Sequence, residues 1–438
     1  MAWKKNRPLL VFTGCLAFLC ALGGWHFLAD GIATGPTLVI LTPHGDNIRQ
    51  EIGAAFQAWH LARFGAAPEL VWVDQGGTSE DLRYVEARYA KTPAGIGIDL
   101  FFGGGTPPFR TLARDTLLVP HALSPAVWAG IPATLAGSRI LSDAEGWYGS
   151  ALSGFGILYN KTLLAEKNLP PPDSWEALAD PRCAGWVAMI DPRGSGSAHV
   201  IYEIILQRYG WEAGWRLLTG MAANSEHFTK GASAVLPLIS AGESAYTVAI
   251  DQYAWSLVEK LGSDKVGFVL PPGASVTTPD PIAMLKGAPH PEAARRFMEF
   301  VLSEPCQRLW VLKAGVPGGP KAQSLNRMSV RPSVAARLDT AISFVRGDPF
   351  SEADSMAWRY SDSLTESRWA LVNDALGLWL VDNHAAARGS RAVAPDGPLF
   401  RPPGTWEEMR ALNGNWKDDA FRNRTVGAWA ARLGQATR

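Results

Sequence analysis

Short β-rich runs that alternate with amphipathic helical stretches constrain this chain more than any other feature. Residues 38–43, 69–74 and 99–102 read as strands, and residues 47–64 and 79–90 between them carry apolar side chains at helical spacing. Strand, crossover helix and strand in that order build a parallel sheet covered by helices. The pattern recurs further on, with strands at 156–160, 186–191, 245–251 and 267–271 and helices at 198–209, 211–221 and 254–261. Two α/β sheets follow. A chain of 438 residues, 47% hydrophobic, is too long for one core and apolar enough to fill two.

The expected architecture is therefore two α/β lobes joined by a hinge, with residues 37–155 opening lobe 1, 156–275 forming lobe 2 and 276–327 returning to lobe 1. Within the return, residues 289–301 read as a helix with Pro near its start and an apolar face on Ala293, Ala294, Phe297, Phe300 and Val301. From residue 328 to 438 the composition shifts to Trp- and Arg-rich helical patterns, notably 357–380 and 406–433, around a Gly/Pro-rich stretch at 388–404; a helical extension on the body is expected.

The first 33 residues differ in kind. Lys4, Lys5 and Arg7 precede a long apolar run, the pattern of an export signal that is either cleaved, after Gly23 or Ala33, or kept as a membrane anchor. Basic residues before the run put the body outside the cytoplasmic membrane. Cys15 and Cys20 lie within the run and offer only a weak lipidation signal. Cys183 and Cys306, in an oxidising compartment, read as two buried thiols or one disulfide. Lys+Arg and Asp+Glu balance at 41 each, which argues against nucleic acid and toward a small partner for a monomeric protein.

In open α/β sheets ligands bind beyond the carboxyl ends of the strands. Those ends lead here into Thr42 to Asn47, Gln75 to Glu80, Gly103 to Thr106, Pro192 to Ser197 and Gln252 to Trp255. Gly77, Thr78 and Ser79 in one lobe, and Ser195, Gly196 and Ser197 in the other, combine small residues and hydroxyls near helix starts. That chemistry suits a carboxylate, phosphate or phosphonate, and it equally describes ordinary helix caps. Ser153, just before the handover between lobes, joins the candidate set. His44 and Tyr253 follow strands and are able to hold a metal or hydrogen-bond a solute; Glu80 and Asp251 supply charge. Gly103 to Gly105 is not a nucleotide P-loop, because no Lys-Ser/Thr follows. The eight histidines are scattered singly and no nucleophile elbow is present, so no enzyme is expected.

Residues 178–182 (Leu-Ala-Asp-Pro-Arg), 185–192 (Gly-Trp-Val-Ala-Met-Ile-Asp-Pro), 195–197 and 289–297 together resemble the family 1 extracellular solute-binding proteins of ABC importers, in the ferric-iron and phosphonate branch of the type II periplasmic binding proteins. The resemblance spans about residues 37–320. It implies a solute held in the cleft, hinge closure and delivery to an ABC permease, with no cofactor and with ferric iron as a transported ligand. It also implies a metal set of His44, Glu80 and Tyr253, in which Ala254 stands where the family's second tyrosine would be. That departure puts iron in doubt and leaves a small organic or phosphorylated anion, or an amine-bearing solute. A membrane-tethered enzyme and a sensory binding module on the same scaffold are the alternatives.

Overall fold

The structure, a computed structural model, describes residues 34–353, 358–390 and 397–436; the export or anchor segment lies outside them. Among the described residues no helix is long and apolar enough to cross a membrane. Lobe 1 opens with β1 (Thr34–Leu41), α1 (Asp46–Phe64), β2 (Ala67–Val73), α2 (Thr78–Lys91), β3 (Leu100–Phe102) and α3 (Thr106–Arg114). β1 pairs in parallel with both β2 and β3. α1 is typical of how these elements form: Ile48, Ile52, Phe56 and His60 repeat every fourth residue and are all buried, and Gly65 in the left-handed region ends the helix by donating to the Leu61 carbonyl. Both faces of the sheet are covered. Phe101 and Phe102, consecutive and therefore on opposite faces, enter two different apolar cores.

Besides three two-residue strands at Thr134–Leu135, Ser138–Arg139 and Leu141–Ser142, the remaining strands are β4 (Trp147–Asn160), β5 (Val187–Ile190), β6 (Ser225–Thr229), β7 (Tyr246–Ile250), β8 (Val266–Val269) and β9 (Thr277–Met284). β4 belongs to both lobes: residues 147–154 pair antiparallel with β9, and residues 155–160 pair antiparallel with β7 and β8. The order is β2-β1-β3-β9-β4-β7-β5-β6. β9 is antiparallel to β3 and β4, so β4 runs with β1 to β3; β7 and its parallel neighbour β5 run against β4. The carboxyl ends of the strands in the two lobes therefore point toward each other across the crossing strand. β9 escapes the sequence reading because Pro279 and Pro281 stand inside it; a register shift between Asp280 and Pro281 accommodates them.

Helices α4 (Gly196–Tyr209), α5 (Trp211–Asn224) and α6 (Asp251–Leu261) complete lobe 2, and α7 (Pro291–Leu302) and α8 (Glu304–Val311) return to lobe 1. Cys183 and Cys306 are free, each buried in a different core, so the disulfide alternative is not formed.

The segment after residue 327 divides between the lobes. Its first part packs on lobe 1: Met328 and Leu152 exchange main-chain hydrogen bonds, and the Arg331 guanidinium donates to the carbonyls of Val127, Ala129 and Leu302. From residue 358 onward it packs mainly on lobe 2, with a contact back to lobe 1 at the start of its first helix, through α9 (Asp362–Leu376), a π-helical turn (Gly377–Asp382), α10 (His384–Ser390), α11 (Trp406–Asn413) and α12 (Asp419–Ala436). The run at 406–433, expected as one helix, is two, because Asp418 turns its carboxylate onto the amides of Ala420 and Phe421 and starts a new one. Leu371, Trp379, Trp416 and Leu433 share a core with Tyr202, Trp215 and Tyr246 of lobe 2.

Candidate functional site

Lobe 1 meets the crossing strand through a buried charge network. His44, which follows β1, is 3% exposed and its Nε2 lies 2.8 Å from Asp280 Oδ2 of β9. The Gly105 amide donates to Asp280 Oδ1 at 2.9 Å, and Arg327 pairs with the same carboxylate while its Nε donates to Gln252 at 2.5 Å. Burial works against charge on Asp280, yet Arg327, His44 and the Gly105 amide hold its carboxyl well below the usual range. Burial pushes His44 the other way, toward the neutral ring. A neutral ring donates through Nε2, and Nδ1 has no partner.

The three glycines after β3 exist for this packing. All have positive φ, a Cβ on Gly103 would stand 2.4 Å from the His44 ring, and one on Gly104 would stand 2.9 Å from the Thr78 side chain. Gly77, also at positive φ, leads into α2, and Thr78 on its first turn lies against Gly104. Ser79 shares that turn; its side chain lies outside the described residues. Glu80 is exposed and pairs with Arg83 one turn on.

On lobe 2, Ser195 caps α4 by accepting from the Ala198 amide at 3.3 Å and sits 3.2 Å from the Ser197 hydroxyl. Gly196 is exposed and Ser197 half-buried at the helix start. Ser153, 5% exposed, faces Thr278 in the β4–β9 ladder one residue before the crossing strand changes partners. Tyr253 is half-buried on the first turn of α6. Asp251, which begins that helix, is 1% exposed; its Oδ1 accepts from the Gln252 amide at 2.7 Å and its Oδ2 has no partner. Among the described residues no three His, Cys, Asp or Glu side chains gather as a metal site.

Asp251 yields a pH prediction. Burial pushes its carboxyl up from 3.8 to about 7, against the pull of the Gly154 amide and Arg327. A raised folded value means that the stability tied to the neutral acid is full below 3.8 and is lost as pH rises through 7. Asp251→Asn keeps the acceptor and removes the charge. Urea unfolding is expected to find the variant close to the parent at pH 4 and more stable by roughly 3 kcal/mol at pH 8.

Sequence reading found the loops at both sets of strand ends and missed Asp280 and Arg327, which join the loops after β1 and β3 to Gln252 at the start of α6. A Pro-Asp-Pro triplet in an apolar run was the available signal for Asp280.

Residues 98–335 match the bacterial extracellular solute-binding protein family. The phosphoglycerate transport regulatory protein PgtC of Salmonella typhimurium is 31% identical over 214 residues, 44% of this chain and 53% of that protein, so the chain spans about half the length of that relative. Iron uptake protein A1 of Synechocystis is 23% identical over 302 residues, 59% of this chain and 82% of the relative. Among solved structures, the spermidine/putrescine ABC transporter substrate-binding protein PotD of Streptococcus pneumoniae superimposes with a TM-score of 0.58 at 17% identity, covering 81% of this chain and all of that one. The periplasmic binding protein AfuA of Actinobacillus pleuropneumoniae, bound to fructose-6-phosphate, gives 0.55 at 17% identity, covering 72% and 92%. These structures carry the type II periplasmic-binding fold. With more than half its length matched and two α/β lobes facing each other across a shared strand, the chain belongs to the family of bacterial extracellular solute-binding proteins.

Proposed function

We propose that this protein captures a small anionic solute carrying a phosphate or carboxylate in the cleft between its lobes and delivers it to an ABC permease in the cytoplasmic membrane. The observation that carries this reading is the pair of helix starts at the facing strand ends, Thr78 on α2 and Ser195 to Ser197 on α4, where main-chain N–H groups and hydroxyls stand together. His44, the leading metal candidate, already donates to Asp280, and Glu80 pairs with Arg83; both favour an organic anion over ferric iron. The phosphoglycerate and fructose-6-phosphate in the names of two relatives support the same class. Titration calorimetry with 3-phosphoglycerate, fructose 6-phosphate, inorganic phosphate and ferric citrate tests it. Binding of a phosphorylated compound is expected, weakened by at least ~1 kcal/mol in both Ser195→Ala and Tyr253→Phe if each loses a buried hydrogen bond. Tight binding of ferric iron alone would overturn it.

The word "regulatory" in the name of the Salmonella relative favours a second reading, a receptor that reports occupancy to a membrane partner. Normal solute uptake in a strain lacking this gene would select it.

A further inference from the structure

One face of α9 touches both lobes. Asp362, Glu366, Trp369 and Asn373, spaced by four, three and four residues, form a single stripe along the helix. At its start the stripe meets lobe 1: Glu366 pairs with Arg110 of α3 at 3.1 Å, and Asp362 lies where Arg110 and Arg139 favour its charged form. Further along it meets lobe 2: the Trp369 indole stacks on His199 with ring centroids 3.7 Å apart, and Asn373 bonds the same imidazole at 3.0 Å. Trp369 also lies over the start of α4, its Cη2 4.0 Å from where a Gly196 side chain would begin.

The two places touched are not arbitrary. Arg110 stands one turn beyond Thr106, the residue that opens α3 at the carboxyl end of β3, and Gly196 opens α4 beyond the carboxyl end of β5. The attachments are also unequal. On lobe 2 the helix is held by a buried pair, Arg368 to Glu203, and by Gln207, which bonds Thr365 at 2.9 Å and accepts from the Ser361 amide. On lobe 1 it is held by a pair whose partners are each about one quarter exposed.

We propose that α9 is an intrachain clasp, fixed to lobe 2 and closed on lobe 1 through Glu366 and Arg110, which holds the lobes together before solute arrives and places Trp369 beside the helix start at Gly196. An anionic solute then competes with Glu366 for Arg110, so the clasp opens as the solute takes its place. The inference rests on the cleft and on the anionic class of solute proposed above, and not on which anion is bound.

Distance measurement by double electron–electron resonance on the full chain tests it. Spin labels go on Ala87→Cys of α2 and Glu212→Cys of α5, both exposed and on different lobes, in a background with Cys15→Ser and Cys20→Ser. Without solute, the parent is expected to give one narrow distribution, and Glu366→Gln a broader one at longer distance. Glu226→Gln, which breaks a surface pair with Arg388 away from lobe 1, should leave the parent distribution intact. An unchanged distribution in Glu366→Gln at unchanged melting temperature would overturn the clasp, as would an equal shift in Glu226→Gln. Because this arm contains no solute, failure of 3-phosphoglycerate, fructose 6-phosphate and inorganic phosphate all to bind would sink the solute assignment and leave the clasp result standing.

Discussion

Asp280→Asn is expected to lower the unfolding free energy at pH 7 by about 3–5 kcal/mol, since it strips the counter-charge from a buried guanidinium without changing side-chain volume. Arg327 is only 5% exposed; Gln252 and the face of Trp310 at 5.7 Å are neutral, and the Asp251 carboxyl on which it also pulls is pushed up to about 7 and so is only partly charged at pH 7. They cannot replace a fully charged carboxylate. Asn also keeps an acceptor for His44 or the Gly105 amide, so the loss reports charge and not shape. The sign with pH follows: a carboxyl held below its ordinary value contributes stability that is full above 3.8 and fades as pH falls below it. Urea unfolding should therefore show the same large gap between parent and variant at pH 7 and pH 5, and only the beginning of its narrowing at pH 3, because the folded carboxyl is held well below that pH. Adding Arg327→Met to Asp280→Asn should restore part of the loss, because a buried pair replaced as a pair costs far less than one half of it removed. If the double variant is as unstable as the sum of the singles, the pair is not the unit that holds the two loops.

Asp280 also shows where reading the sequence stops. The loops after β1, β2 and β3 were legible because each follows an apolar run and carries Gly, Thr or Ser, which is local information. The charge that ties the first and third of them together comes from residue 280, 236 positions from His44. It sits between two prolines that argue locally against a strand, and only the bulge in the β4–β9 ladder reconciles them with one. The same distinction explains the glycines after β3. Their run was visible and a nucleotide loop was excluded, but the reason for them is the His44 ring and the Thr78 side chain, neither of which is a sequence neighbour.

The segment beyond residue 327 was legible in composition and not in connection. Its Trp and Arg content marked it as helical and packed, and Trp379, Trp416 and Trp429 do lie buried in the lobe 2 core. Periodicity along one helix reports which face is apolar and says nothing about the partner. The stripe at 362, 366, 369 and 373 mixes two acids, an indole and an amide, so it looks like an ordinary half-wet face until Arg110 and His199 are seen opposite it.

Arg368→Ala is expected to cost about 3–5 kcal/mol, because it leaves Glu203, with no exposed surface, carrying a charge that nothing else neutralises. The guanidinium donates to that carboxylate at 2.9 and 2.6 Å and lies over the rings of Trp211 and Trp406, so packing and charge are both lost in the alanine variant. Arg368→Met separates them: it keeps much of the aliphatic stem against the indoles and removes only the charge. If the ion pair anchors α9, Met should cost nearly as much as Ala in urea unfolding, and Glu203→Gln with Arg368→Met should recover most of it. If Met behaves like the parent, the anchor is the tryptophan packing. Hydrogen exchange across residues 361–376 adds the local consequence: with the pair broken, the first turns of the helix should exchange faster than its last ones, since Leu371, Val372, Ala375 and Leu376 still hold the far end in the lobe 2 core.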